Sequence, residues 1–195
     1  MNRPGVTLWR LLVAGSAATG VWLASLEYDV WWTALSQLAN LAVAASYVVL
    51  AVREPRSPWL RGALTSLMLL VALAYLPMAN GNLLQGWSLL EHVVTPALVL
   101  ADFLLVGANQ SALRWWHPLS WLVAPAAYLV WYVGADLAVY DALDPSVPAV
   151  FVGRLLVLAV LLLATGFALR ATGWLQGRAA HARAQGRQVY QASLS

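Results

Sequence analysis

Hydroxyl, imidazole, amide and carboxylate side chains are scarce in this chain, and those inside its apolar stretches recur at helical spacing. Thr33, Ser36, Gln37 and Asn40 stand at offsets 0, 3, 4 and 7, one face of a helix. His92, Thr95 and Asp102, at offsets 0, 3 and 10, share roughly one face of another, with Glu91 beside His92. A hydroxyl and an imidazole meeting in a cavity are the minimum for a nucleophile activated by a general base. The same stripes also read as interhelical hydrogen-bond glue, worth about 1 kcal/mol per contact. Asp136 and Arg154 lie near the facing ends of two later apolar stretches. Either they form an ion pair that locks the bundle, or Arg154 holds a substrate carboxylate. No metal or other cofactor is expected. Cysteine is absent, only His92 is expected to be buried, with His117 at the inner surface and His181 in the tail, and no glycine-rich phosphate loop occurs.

The elements that must carry these groups are apolar helices. Of 195 residues, 62% are hydrophobic and 10% charged, against about 25% charged in a soluble domain. Six stretches, about 7–26, 31–52, 62–80, 88–107, 116–140 and 148–172, are long enough to cross a ~30 Å hydrocarbon core at ~1.5 Å per residue. The expected fold class is therefore all-α, a polytopic membrane bundle of six transmembrane helices over 1–176, followed by a polar tail over 177–195. The tail reads as a short surface helix or a partly disordered segment. A cleaved signal peptide is the competing reading of 7–26, but the stretch is long, Arg10 interrupts its start and no A-x-A site follows.

With six spans, every arginine except Arg154 falls on one side, while Glu27, Asp29, Asp141 and Asp144 fall on the other. By the positive-inside rule both termini are cytoplasmic. Tryptophans near the span ends fit the headgroup level. Arginines placed this way set topology and form no nucleic-acid-binding face. The second and fourth stretches then enter from the outer side, and Thr33 and His92 lie at similar depth in the outer leaflet. Asn40 and Asp102 lie deeper, and Asp102, about 15 Å below His92, is too far to orient it.

Three segments together resemble the androgen-induced gene 1 family, which includes the androgen-dependent TFPI-regulating protein and many bacterial six-pass relatives. They are W-W-T-A-L-S-Q-L-A-N at 31–40, E-H-V-V-T-P-A-L-V-L-A-D at 91–102, and H-P-L-S-W-L-V-A-P-A-A-Y-L-V-W at 117–131, which contains Tyr128. The resemblance implies a threonine hydrolase of fatty acid esters of hydroxy fatty acids, in a bacterial plasma membrane. Thr33 would be the nucleophile and His92 the general base. An acyl-lipid substrate would meet Ser36, Gln37, Asn40, Asp102, Tyr128, Asp136 and Arg154. Two other classes stay open: a non-catalytic lipid or small-molecule binding or transport protein, and a structural membrane subunit.

Overall fold

The computed structural model describes residues 4–53, 57–79, 83–107, 109–137 and 139–192. Arg3, the Glu54-Pro55-Arg56 segment and the turn cluster Asn80-Gly81-Asn82 lie outside the described residues. Those described are helical or irregular, with no strand among them. The helices are α1 (Pro4–Glu27), α2 (Leu35–Val52), α3 (Trp59–Ala79), α4 (Gly86–Val106), α5 (Val123–Gly134) and α6 (Pro148–Ala192). Four of them, α1, α2, α4 and α6, are long and apolar enough to cross a membrane, and α3 is apolar over Trp59–Tyr75.

Local chemistry sets several boundaries. Ser57 caps α3, its Oγ accepting from the Trp59 N–H at 3.2 Å. Pro96 has no N–H to give, and in a regular helix its ring would crowd the carbonyl four residues back, that of His92. The turn just before it, Leu90–Val94, is widened to a π-helix, with the Thr95 N–H on the Leu90 carbonyl. A second π-turn, Asp102–Val106, ends α4 where the Gly107 N–H bonds the Asp102 carbonyl at 2.9 Å. A side chain at Gly107 would displace Arg61, whose guanidinium occupies the place of a Cβ there.

The helices pack antiparallel around a core that includes Val13, Val43, Tyr47, Met68 and Val99. Thr7 Oγ1 donates to the Ala51 carbonyl at 3.0 Å and Arg10 Nη1 to that of Leu50 at 2.8 Å, joining the start of α1 to the end of α2. Arg10 Nε reaches Asp102 Oδ1 at 3.3 Å, and Arg61 Nε reaches Oδ2 at 3.0 Å. All three side chains are fully buried. Arg61 also bonds Asn109 Oδ1 at 2.9 Å and the Asp102 carbonyl at 3.1 Å.

Several expectations are corrected here. Thr33 is not on the α2 face. It closes the 3-10 turn Trp31–Thr33, and the extended backbone of Ala34 separates it from the helix. Arg10 and Arg61 do not flank the bundle but lie inside it. The stretch 116–140 is not one continuous helix. A short turn, His117–Ser120, precedes α5, which spans 12 residues. Pro125 fits this start, since a proline costs least in a first turn, where N–H groups have no intrahelical partner. Just past the α5 end Asp136 has φ 50, a left-handed residue that stops the helix. Asp136 is exposed and not paired with Arg154, which donates instead to the Ala142 carbonyl. The tail is helical to Ala192. Its Ala, Arg and Gln content favours helix, and α6 runs unbroken for 45 residues to Ala192, with Arg178, Arg183 and Arg187 exposed.

Asp102→Ala leaves two guanidinium groups buried without their shared carboxylate. Breaking a buried pair costs about 3–5 kcal/mol, roughly a 10 °C fall in Tm for a chain of this size. Thermal unfolding in detergent reads it, with Asp136→Asn expected to change nothing.

Candidate functional site

At the end of the bundle away from the Asp102 cluster, the turn ahead of α2 is held by distant tyrosines. Thr33 Oγ1 donates to the Val30 carbonyl at 2.9 Å, and the Thr33 carbonyl accepts from Tyr128 Oη at 2.8 Å. The residue before α2, Ala34, has no side chain able to cap the helix. Tyr140 does so from 105 residues away, its Oη accepting from the Leu35 N–H at 2.8 Å. Tyr132 steadies Tyr140 in turn, its hydroxyl donating to the Tyr140 carbonyl at 3.3 Å. Their rings stack with centroids 6.0 Å apart. On α2, Ser36 Oγ donates to Gln37 Oε1 at 3.0 Å.

His92 sits in the first π-turn of α4. Its Nδ1 lies 3.0 Å from the Ser88 carbonyl, and its ring stacks on Tyr75 with centroids 3.5 Å apart at 23°. A carbonyl can only accept, so Nδ1 carries the proton and Nε2 is left as the acceptor. Nε2 has no hydrogen-bond partner among the described residues. Ser88 Oγ donates to Tyr75 Oη at 2.8 Å and fixes the stacked ring. Glu91 is fully buried next to His92, packed against Gly20, where a Cβ would come within 3.0 Å of its Cγ. The Glu91 carboxylate faces the Ser36 hydroxyl, which donates to Gln37.

Except for Gly20, Ser88 and Glu91, which lie behind the wall, these residues line one cavity of 1130 Å³, above the ~300–1,000 Å³ usual for small-molecule pockets. Thr33, Ser36, Gln37, His92, Tyr128 and Tyr140 form its polar end. Leu70, Val71, Leu122, Leu129, Leu155 and Leu162 form an apolar remainder. α5 is not closely packed along its backbone against α3 or α6, and the gap is the cavity. Val152 and Leu156 line it yet are 51% and 62% exposed, so it reaches the lateral surface of the bundle.

The cavity thus brings together Thr33, Ser36, Gln37, His92 and Tyr128. It does not include Asn40, Asp102, Asp136 or Arg154. Asn40 is buried behind the wall, its Nδ2 donating to the Ser36 carbonyl at 2.9 Å. Asp102 is consumed by the two arginines at the other end. Asp136 is exposed and Arg154 is tied to Ala142. No hydrogen bond joins Thr33 to His92; each is held by its own turn. Sequence reasoning missed Tyr75, Tyr132 and Tyr140, because a tyrosine in an apolar stretch or a loop has no periodic signature. Among the described residues no three His, Cys, Asp or Glu side chains converge on a metal position. No protein-family model, curated protein or solved structure matches this chain.

Tyr140→Phe removes the cap from α2, a loss of about 1 kcal/mol. Hydrogen exchange at the Leu35 amide is expected to quicken about fivefold, with amides near Asp102 unchanged.

Proposed function

We propose that the protein is a six-span membrane bundle with both termini cytoplasmic, and that it hydrolyses lipid acyl esters with Thr33 as nucleophile and His92 as general base. The supporting observation is that both side chains line one cavity, apolar elsewhere, that reaches the lateral surface. An acyl chain entering sideways from the bilayer would lie along the leucines, with its ester at the polar end. The sequence resemblance to the androgen-induced gene 1 family assigns the same two residues.

In this reaction the Thr33 hydroxyl rotates away from the Val30 carbonyl and attacks the ester carbon. His92 Nε2 takes the hydroxyl proton and returns it to the alkoxide as the ester C–O bond breaks, releasing an alcohol. Water then attacks the acyl-threonine, His92 again accepts a proton, and the acid leaves as the Thr33 oxygen is reprotonated. Ser36 and Gln37 are the candidate donors for the oxyanion. One observation favours a non-catalytic lipid-binding protein instead: Thr33 and His92 are each satisfied locally and are not bonded to one another.

The orientation rests on charge at the two ends. Without the buried Arg10 and Arg61, the arginines Arg53, Arg114, Arg170, Arg178, Arg183 and Arg187 still oppose Glu27, Asp29, Asp141 and Asp144. The fifth crossing is the broken one, the turn His117–Ser120 with α5.

Detergent-purified protein is expected to hydrolyse a long-chain ester. Thr33→Ala and His92→Ala are each expected to lower the rate at least about 100-fold, and Thr33→Ser to retain much of it. Unchanged rates in both alanine variants would exclude this site. The chain has no cysteine, so single cysteines report topology cleanly. In intact cells an impermeant maleimide is expected to label Ser146→Cys but not Ala180→Cys, and the reverse pattern would invert the orientation.

A further inference from the structure

The cavity wall carries information about the ligand's charge. The chain has no lysine, and no arginine occurs in 11–52, 62–113 or 115–153. Every wall segment comes from these stretches except the part of α6 from Leu155 to Leu162, which is also free of basic residues. Arg154 stands next to that segment but is held by the Ala142 carbonyl and does not line the cavity. One lining residue is a carboxylate, Asp29, exposed in the loop after α1. The other polar lining groups are phenols, hydroxyls, amides, indoles and the imidazole of His92, and the hydroxyls of Thr33, Ser36, Tyr128 and Tyr132 already donate within the protein.

We propose that this cavity takes an electrically neutral acyl lipid, an uncharged ester rather than a lipid bearing an ionised carboxylate. A carboxylate moved from water into an apolar cavity needs a cation or a dense set of donors to replace its hydration, and otherwise loses several kcal/mol. Here Arg154, adjacent in sequence to the wall, donates to the Ala142 carbonyl instead, and the Asp29 charge repels an incoming anion. A neutral ester needs only hydrogen bonds, which tyrosine hydroxyls and glutamine amides supply. The acyl chain is matched by the leucine-rich remainder of the wall. The word ester rests on the hydrolase reading; the preference for an uncharged head does not, and it sets this chain apart from hydrolases of hydroxy fatty acid esters, whose substrates end in a free carboxylate.

The test is native mass spectrometry of the detergent-purified full chain with methyl oleate or oleate, at equal micellar mole fraction and at a pH where the acid is ionised. Ester occupancy is expected to exceed acid occupancy at least about tenfold, a difference of about 1.4 kcal/mol. Asp29→Asn narrows that ratio, and Ala126→Phe, which fills the cavity from α5, removes the ester adduct. Equal or inverted occupancy overturns the proposal, as does ester binding that Ala126→Phe leaves intact. Turnover of methyl oleate by the same sample separates the two claims. Ester preference without hydrolysis supports this inference and removes the hydrolase reading. Hydrolysis without ester preference does the opposite.

Discussion

One carboxylate holds this bundle together. Asp102 is fully buried and accepts from two fully buried arginines, one on α1 and one on α3, while it belongs to α4. Arg10 also reaches the end of α2 through the Leu50 carbonyl. Four helices are therefore registered at one end by a single ionic cluster. Sliding any of these helices would break a buried ion pair, which is costly in an apolar surrounding. Gly107 belongs to the same constraint, since Arg61 occupies the space a side chain would need there.

The opposite end is built differently. Uncharged tyrosines join the turn before α2 to the region around α5 through hydrogen bonds to backbone. Such a network orients groups without closing the space between helices. α5, short and proline-started, stands off from α3 and α6, and the opening between them is the cavity. An ionic end and an open, phenol-lined end divide the molecule into a part that sets registry and a part that holds the cavity.

The helices were legible in the sequence because apolar stretches of span length admit few other structures. The polar stripes were legible for the same reason: a hydroxyl or an imidazole amid leucines must face something other than lipid. Thr33 and His92 were picked out by type and depth, and they share the cavity wall. What sequence could not give was pairing across long separations. Arg10 and Arg61 look like flanking charges until Asp102, 92 and 41 residues away, is seen between them. Tyr140 looks like a loop residue until its oxygen is found capping a helix 105 residues earlier. Asp136 and Arg154, neighbours by topology, are diverted by a left-handed backbone at one and a nearby carbonyl at the other.

Covalent catalysis at Thr33 is the central claim, and trapping the acyl intermediate tests it most directly. Purified protein would be mixed with the p-nitrophenyl ester of palmitic acid, quenched in acid on the millisecond scale and mapped by peptide mass spectrometry. The account predicts one palmitoyl group per chain, on the hydroxyl of Thr33, appearing with the first turnover. Release of p-nitrophenol with no acyl group on the chain, or with acylation at another residue, would contradict it.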